Sequence, residues 1–258
     1  MPATATRPEP RAQTRPTLPT SADWNLYFER NAGNLLDVPW EAGGEVTGAE
    51  VATIARSIRE FQLGESSEGR HLIKAARDYA GRTGDADYLA ALERFIREEQ
   101  RHARDLGRFM TLAGIGKTRK SWPDSVFRWM RHLAGLELSV SVLVTAEIIA
   151  KVYYPALQQA TGSRVLRRVC EQIIHDEGPH VEFQCQRLGL LRRERGEAYL
   201  GLAKFLHRVL FWGAMLVVWH KHKPVLKAGG LDFRDYWRTS WREYFDAERI
   251  MQPTPADG

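Results

Sequence analysis

Glu98-Glu99-Gln100-Arg101-His102 and Asp176-Glu177-Gly178-Pro179-His180 decide how this chain reads. Each holds a Glu-x-x-His motif preceded by a second acidic residue. Residues three apart on an α-helix share a face, so each motif aims a carboxylate and an imidazole at one point. Working outward, each motif trails a lone glutamate: Glu65 lies 34 positions before Glu99, and Glu147 lies 30 before Glu177. Turn signals at residues 81–85 and 161–163 fall near the two midpoints. Each upstream glutamate therefore returns to about the height of its motif.

Helical periodicity carries these residues. A first long helix is predicted from Thr47–Glu50 to about Ala80, with Ile58, Phe61, Glu65, Leu72, Ala76 and Tyr79 on one stripe. Gly81-Arg-Thr-Gly84-Asp85 stops it and caps the next. The second helix, about Ala86 to Ala113, sets Tyr88, Leu92, Phe95, Glu99 and Leu106 on its stripe, with His102 close by on the same face. Periodicity resumes at Ser125 and runs to about Gln159 through Leu136, Val140, Leu143, Glu147 and Tyr154, with Pro155 expected to kink its end. A fourth helix follows Thr161-Gly162-Ser163 and carries Leu166, Cys170, Ile173, Glu177, His180, Gln184 and Leu188. Pro179 inside its motif predicts a kink or bulge.

For the two hairpins to bring their glutamates together, a connection must cross the bundle between the second and third helices. Residues 114–135 suffice for it, with a short helix at Asp124–His132 and a break near Gly135. Beyond Gly196, helices are expected from Glu197 to about Lys221 and from Asp232 to about Ile250, separated by Pro224 and Gly229-Gly230. No strand pattern occurs. The reading is all-α: a disordered tail at 1–20, an irregular aromatic lead-in at 21–48, a four-helix bundle with a crossover connection at 49–195, and a C-terminal helical extension at 196–258.

At 258 residues and 43% hydrophobic content the chain can bury one large core. The longest uncharged apolar stretch in the C-terminal half, Val209 to Trp219, falls well short of the roughly 20 residues of a membrane span, so no transmembrane segment is expected. No secretory signal is legible, so a cytoplasmic location is the default expectation. Cys170 and Cys185 sit roughly 22 Å apart along one helix and cannot pair within a chain. The net charge of +5 is moderate. Basic clusters at Arg192–Arg195 and around Lys221, Lys223 and Lys227 read as solvated helix faces, and nucleic-acid binding has no motif behind it. Peripheral contact with a membrane and assembly into a homodimer stay open.

Four inward carboxylates and two imidazoles are the chemical core of the reading. Left unpaired, four buried carboxylates would cost more than a domain's net stability of roughly 5–15 kcal/mol. Metal cations remove the conflict, and mixed oxygen and imidazole donors suit iron or manganese, with zinc allowed by ligand type. Glu68, also inward and nearer the hairpin midpoint, is an alternative to Glu65, which lies at the centre of the apolar stripe. Tyr154 reads as a core tyrosine and Cys170 as a buried thiol. His71, His132, His175, His207, His220 and His222 fall off the inward stripe and receive no ligand role.

In these residues the chain resembles the ferritin-like di-iron carboxylate superfamily over roughly residues 50–190. Gly64-Glu65-Ser66 and Glu98-Glu99-Gln-Arg-His102-Ala103 are similar to the first two bundle helices of rubrerythrin-type proteins, and Asp176-Glu177-x-x-His180 to the fourth-helix motif of di-iron monooxygenases. The resemblance implies two irons, or a manganese and an iron. Glu99 and Glu177 would bridge them as the catalytic carboxylates, Glu65 and His102 would complete one site, and Glu147 and His180 the other. Glu98 and Asp176 would each hold the imidazole N–H of the opposite motif.

The implied activity is a di-iron oxidoreductase that activates O2 or peroxide to oxidise a small or lipid-like organic substrate. Without a CxxC pair the chain lacks a rubredoxin-like domain, so the electron donor would be a separate protein such as a ferredoxin. A ferritin-type iron-binding or ferroxidase protein and a non-catalytic metal-stabilised bundle are the alternatives.

Overall fold

The structure is a computed structural model, and it describes residues 18–66, 69–118, 135–193 and 195–252. Its helices are α1 (Ser21–Asn31), α2 (Gly48–Glu65), α3 (Arg70–Thr83), α4 (Ala86–Leu112), α5 (Leu136–Gln159), α6 (Arg164–Arg193), α7 (Glu197–Ala228) and α8 (Phe233–Ile250). A single 3-10 turn, Trp40–Ala42, precedes α2, and no strand occurs among the described residues. The all-α expectation holds.

Local chemistry explains most boundaries. Thr47 caps α2 and Glu50 returns the bond to the Thr47 backbone, a capping box. Asp85 caps α4 through the Tyr88 N–H, and Gly84, at φ +77°, ends α3 in the left-handed conformation. Gly135 stands immediately before α5, where a break was expected. The short helix expected at Asp124–His132 lies outside the described residues.

Four expectations need correction. Where the sequence reads as an irregular lead-in, residues 21–31 form α1, opened by a Thr20/Asp23 capping box, with Trp24, Phe28 and Asn31 buried on its inner stripe. The continuous helix expected over 47–80 is interrupted between Glu65 and Arg70. Gly69 there adopts φ +60°, and the Ser66 hydroxyl donates to the Leu63 carbonyl at 2.7 Å, satisfying the open end of α2. The fourth bundle helix runs uninterrupted through Pro179, without a bulge. Likewise α7 continues through Pro224 to Ala228, its last turns held by the buried Val225 and Leu226.

α2 and α3 together pack on α4, α5 pairs along its length with α6, and α4 meets α6 across the bundle. α1 lies against α4, while α7 and α8 cover the outer side of α5. That arrangement leaves α5 buried on most of its circumference, including Glu147.

Candidate metal centre

The inner faces of α2, α4, α5 and α6 converge on a cluster of carboxylates and imidazoles. Glu65, His102, Glu147, Glu177 and His180 are buried and Glu99 is nearly so. Ligand-capable atoms of Glu99, Glu147, Glu177 and His180 lie within 4.8 Å of one another, and those of Glu65, Glu99 and His102 do the same. Glu99 is common to both groups. Glu177 falls with Glu147 and His180 and does not enter the Glu65 group. Glu68 lies outside the described residues.

The two imidazoles are held from behind. His180 Nε2 is 2.9 Å from Glu98 Oε2, and His102 Nε2 is 3.0 Å from Asp176 Oδ2, so the acid preceding each motif meets the histidine of the other. These contacts direct both Nε2–H groups outward. Each Nδ1 then faces the cluster: His180 Nδ1 lies 3.1 Å and His102 Nδ1 3.5 Å from Glu99 Oε1.

Asp176 is tied further by Arg101 Nη2 at 2.6 Å and by Gln172 Nε2 at 3.0 Å. Asn31 Nδ2 donates to both Glu98 Oε1 (2.8 Å) and Asp176 Oδ1 (2.9 Å), joining the two acids. On the other side of the cluster, the Tyr154 hydroxyl donates to Glu65 Oε1 at 2.5 Å. Phe95 meets the His180 ring edge-on, centroids 4.7 Å apart.

Proton affinities follow from this setting. Burial, reinforced by the Glu99 charge, raises the Glu65 carboxyl well above the carboxylate range and pushes Glu147 up to about 7. Burial and the neighbouring Glu147 raise Glu177 in the same way. Burial opposes ionisation of Glu99 too, but the flanking His102 and His180 rings outweigh it and hold Glu99 far below its ordinary value. Burial disfavours charge on the two rings, yet Asp176 raises His102 and Glu98 raises His180. Asp176 resists its own burial through His102, Asn31 and Arg101 and stays strongly acidic.

The donor set fits two metal ions. Among buried side-chain atoms with no hydrogen-bond partner are Glu99 Oε1, His102 Nδ1, both Glu177 oxygens and His180 Nδ1, which are the atoms that face one another. Buried polar atoms without partners are rare and costly, so their concentration at one point has a coordinative explanation. Four carboxylates also match the charge of two divalent cations.

Several partners escaped the sequence reading. Asn31 was hidden by the lead-in assignment, although Trp24, Phe28 and Asn31 at i, i+4 and i+7 after Thr20-x-x-Asp23 carried a helix signal. Gln172 precedes Asp176 by one helical turn. Tyr154, read as a core residue, is buried but bonded to Glu65. His207 and His222 are buried elsewhere, and His175 touches Asp176 from the outside.

No protein-family model matches the chain, and no curated protein matches it by sequence. Among solved structures, two point variants of an R2-like ligand-binding oxidase with aerobically reconstituted Mn/Fe cofactor superpose with TM-scores of 0.65 and 0.66. Each is 14% identical, covering 91% of this chain and 94% of the other. A third variant, reconstituted anaerobically, gives a TM-score of 0.58 at 16% identity over 90% and 92% of the two chains. The protein therefore has the ferritin-like helical-bundle fold of the R2-like oxidases.

Proposed function

We propose that this protein is a non-haem di-metal oxidase. In this reading Glu65 and His102 would hold one ion and Glu147 and His180 the other, with Glu99 and Glu177 as the carboxylates shared between them. The ions are two irons or, as in the R2-like oxidase structures, manganese and iron. The observation that carries the proposal is the facing set of partnerless ligand atoms on Glu99, His102, Glu177 and His180, with both imidazoles anchored crosswise by Glu98 and Asp176.

When bound, such an ion pair supplies the redox chemistry by which O2 or peroxide is reduced and an organic substrate oxidised. The chain's own residues fix the geometry. Glu98 and Asp176 set the tautomer and tilt of the imidazoles, and Asn31 holds those two acids in register. Phe95 and the surrounding apolar core keep bulk water from the ligands. Tyr154 orients Glu65 through its hydroxyl.

With peroxide as oxidant, a two-electron oxidation of a small or lipid-like substrate balances to two waters when two hydrogens are removed and to one water when an oxygen atom is inserted. With O2, two further electrons are required, which a separate donor of the ferredoxin class would deliver.

Metal analysis after anaerobic loading tests the proposal: two iron or manganese ions per chain are expected, abolished by Glu99→Ala. Exposure of the loaded protein to O2 or peroxide should change its optical spectrum. Hundreds of irons per chain would instead indicate a storage protein, and zinc bound without any redox response would indicate a structural site.

A further inference from the structure

α7 carries a face that nothing in the described residues covers. It is the one described helix long and apolar enough, by length and composition, to cross a membrane, yet only 22% of its most apolar window is buried. Tyr199, Leu202, Phe205, Leu206, Val209 and Trp212 are 39–62% exposed. At 100° per residue they fall within an arc of about 140°, and the stripe continues to the half-buried Leu216, about 25 Å along the helix. Scattered exposed leucines are ordinary on protein surfaces, whereas a contiguous apolar stripe of this length marks an interaction site.

Cations stand at both ends of the stripe, although its start also carries Glu197 and the Glu137 carboxylate, which accepts from the Tyr199 hydroxyl at 2.6 Å. Arg193 and Arg195 stand at its start, and the Arg195 guanidinium lies 5.2 Å from the centre of the Tyr199 ring. His220, Lys223 and Lys227 continue the same arc past Leu216 and are exposed. None of these four arginines and lysines has an ion-pair partner among the described residues, whereas the adjacent Lys221, off the arc, pairs with Glu60 at 3.4 Å. Cations that read in the sequence as solvated faces thus bracket an exposed apolar strip.

We propose that this face is a membrane-docking surface: α7 lies in the plane of an anionic lipid bilayer, its leucines and aromatics among the upper acyl chains and its terminal cations on the headgroup phosphates. Apolar burial and electrostatic attraction are the two contributions that together anchor a peripheral protein stably. A second copy of the chain fits the face less well. Parallel helices would set Lys223 and Lys227 against their own counterparts, and antiparallel helices would set them against Arg193 and Arg195. An anionic surface accepts the cations of both ends at once. The proposal is independent of what the metal centre does.

Flotation of the full chain with vesicles tests it, using phosphatidylcholine alone or mixed with phosphatidylserine. Binding to the mixed vesicles is expected to exceed that to neutral ones at least ~10-fold and to fall with salt. Leu206→Glu should abolish it, and Lys223→Glu with Lys227→Glu should reduce it ~10-fold, with unchanged thermal melting and elution volume. Wild type that stays unbound with both vesicles, or binding indifferent to these variants, overturns the proposal. So does a stable wild-type dimer that Leu206→Glu converts to monomer, which would assign the face to self-association.

Discussion

His180 on α6 places its Nε2 2.9 Å from Oε2 of Glu98 on α4, so the first acid of one motif fixes the imidazole of the other. A carboxylate behind a metal-binding imidazole sets the ring's tautomer and raises its basicity, and losing such a partner costs about 10–100-fold in metal affinity. Glu98→Ala is expected to lose that much, whereas Glu98→Gln, which keeps an acceptor oxygen, should lose less. Competition with a coloured chelator reads both. Equal affinity in Glu98→Ala and wild type would remove Glu98 from the centre.

Asn31 gives a second expectation, because one amide nitrogen serves both Glu98 and Asp176. Asn31→Ala leaves two buried carboxylate oxygens short of a donor, a loss of about 1–3 kcal/mol. Denaturant unfolding of the metal-free protein should show it. Asn31→Asp should be worse, since it adds a third acid to the pair. Wild-type stability in Asn31→Asp would contradict the hydrogen-bond assignment.

How much of this was legible beforehand follows from what sequence periodicity records. Spacing alone brings Glu65, Glu99, His102, Glu147, Glu177 and His180 to one level, because i, i+3 geometry and hairpin symmetry are properties of the chain itself. The crosswise pairing of Glu98 and Asp176 entered through family resemblance, since it depends on which helices face each other. Asn31 was missed for a different reason. Its short helix is signalled by the Thr20-x-x-Asp23 capping box and by Trp24, Phe28 and Asn31 at helical spacing, but which partners Asn31 meets depends on how α1 packs on the bundle. Pro224 reads in the sequence as a break, yet the buried Val225 and Leu226 beside it keep α7 helical to Ala228.

Gly69 separates α2 from α3 and so leaves Glu65 as the last residue of its helix. At φ +60°, an added Cβ would also approach Ile96 Cδ1 to 2.5 Å. Gly69→Ala is therefore expected to destabilise by about 1–2 kcal/mol through left-handed strain, with more from displacing Ile96. Its metal content should fall with stability, as Glu65 shifts. A melting temperature equal to that of wild type would argue against this geometry.

Tyr154 lowers the proton affinity that burial gives Glu65, by donating to its Oε1. Tyr154→Phe removes that donor without removing the ring. Glu65 should then hold its proton more tightly, and a metal ion must displace that proton. Loading at the Glu65–His102 position is expected to weaken, most at low pH, while the Glu147–His180 position is spared. Metal content per chain as a function of pH, compared with wild type, distinguishes this from a simple packing defect, which would reduce both positions alike at every pH.

The metal-free protein should also lose stability as the solution becomes alkaline. Glu65 and Glu177 are raised well above the carboxylate range and Glu147 to about 7, whereas in the unfolded chain all three titrate near ~4.3. A raised folded-state pKa contributes stability that is complete below the unfolded value and is lost as pH climbs through the folded one. His102 and His180, raised above 6.5, act with the same sign. Glu99 and Asp176 are held low, so their contribution disappears only in acid. His207 and His222, lowered by burial to about 4, lose theirs as pH falls below about 6.5 and are constant above neutrality. Between pH 7 and about 9 the raised groups alone change, and the melting temperature of the metal-free protein should fall. Loading with iron or manganese should flatten or reverse that slope, because the cations take the place of the protons. A metal-free melting temperature that rises over this range would contradict the burial of these carboxylates around a common point.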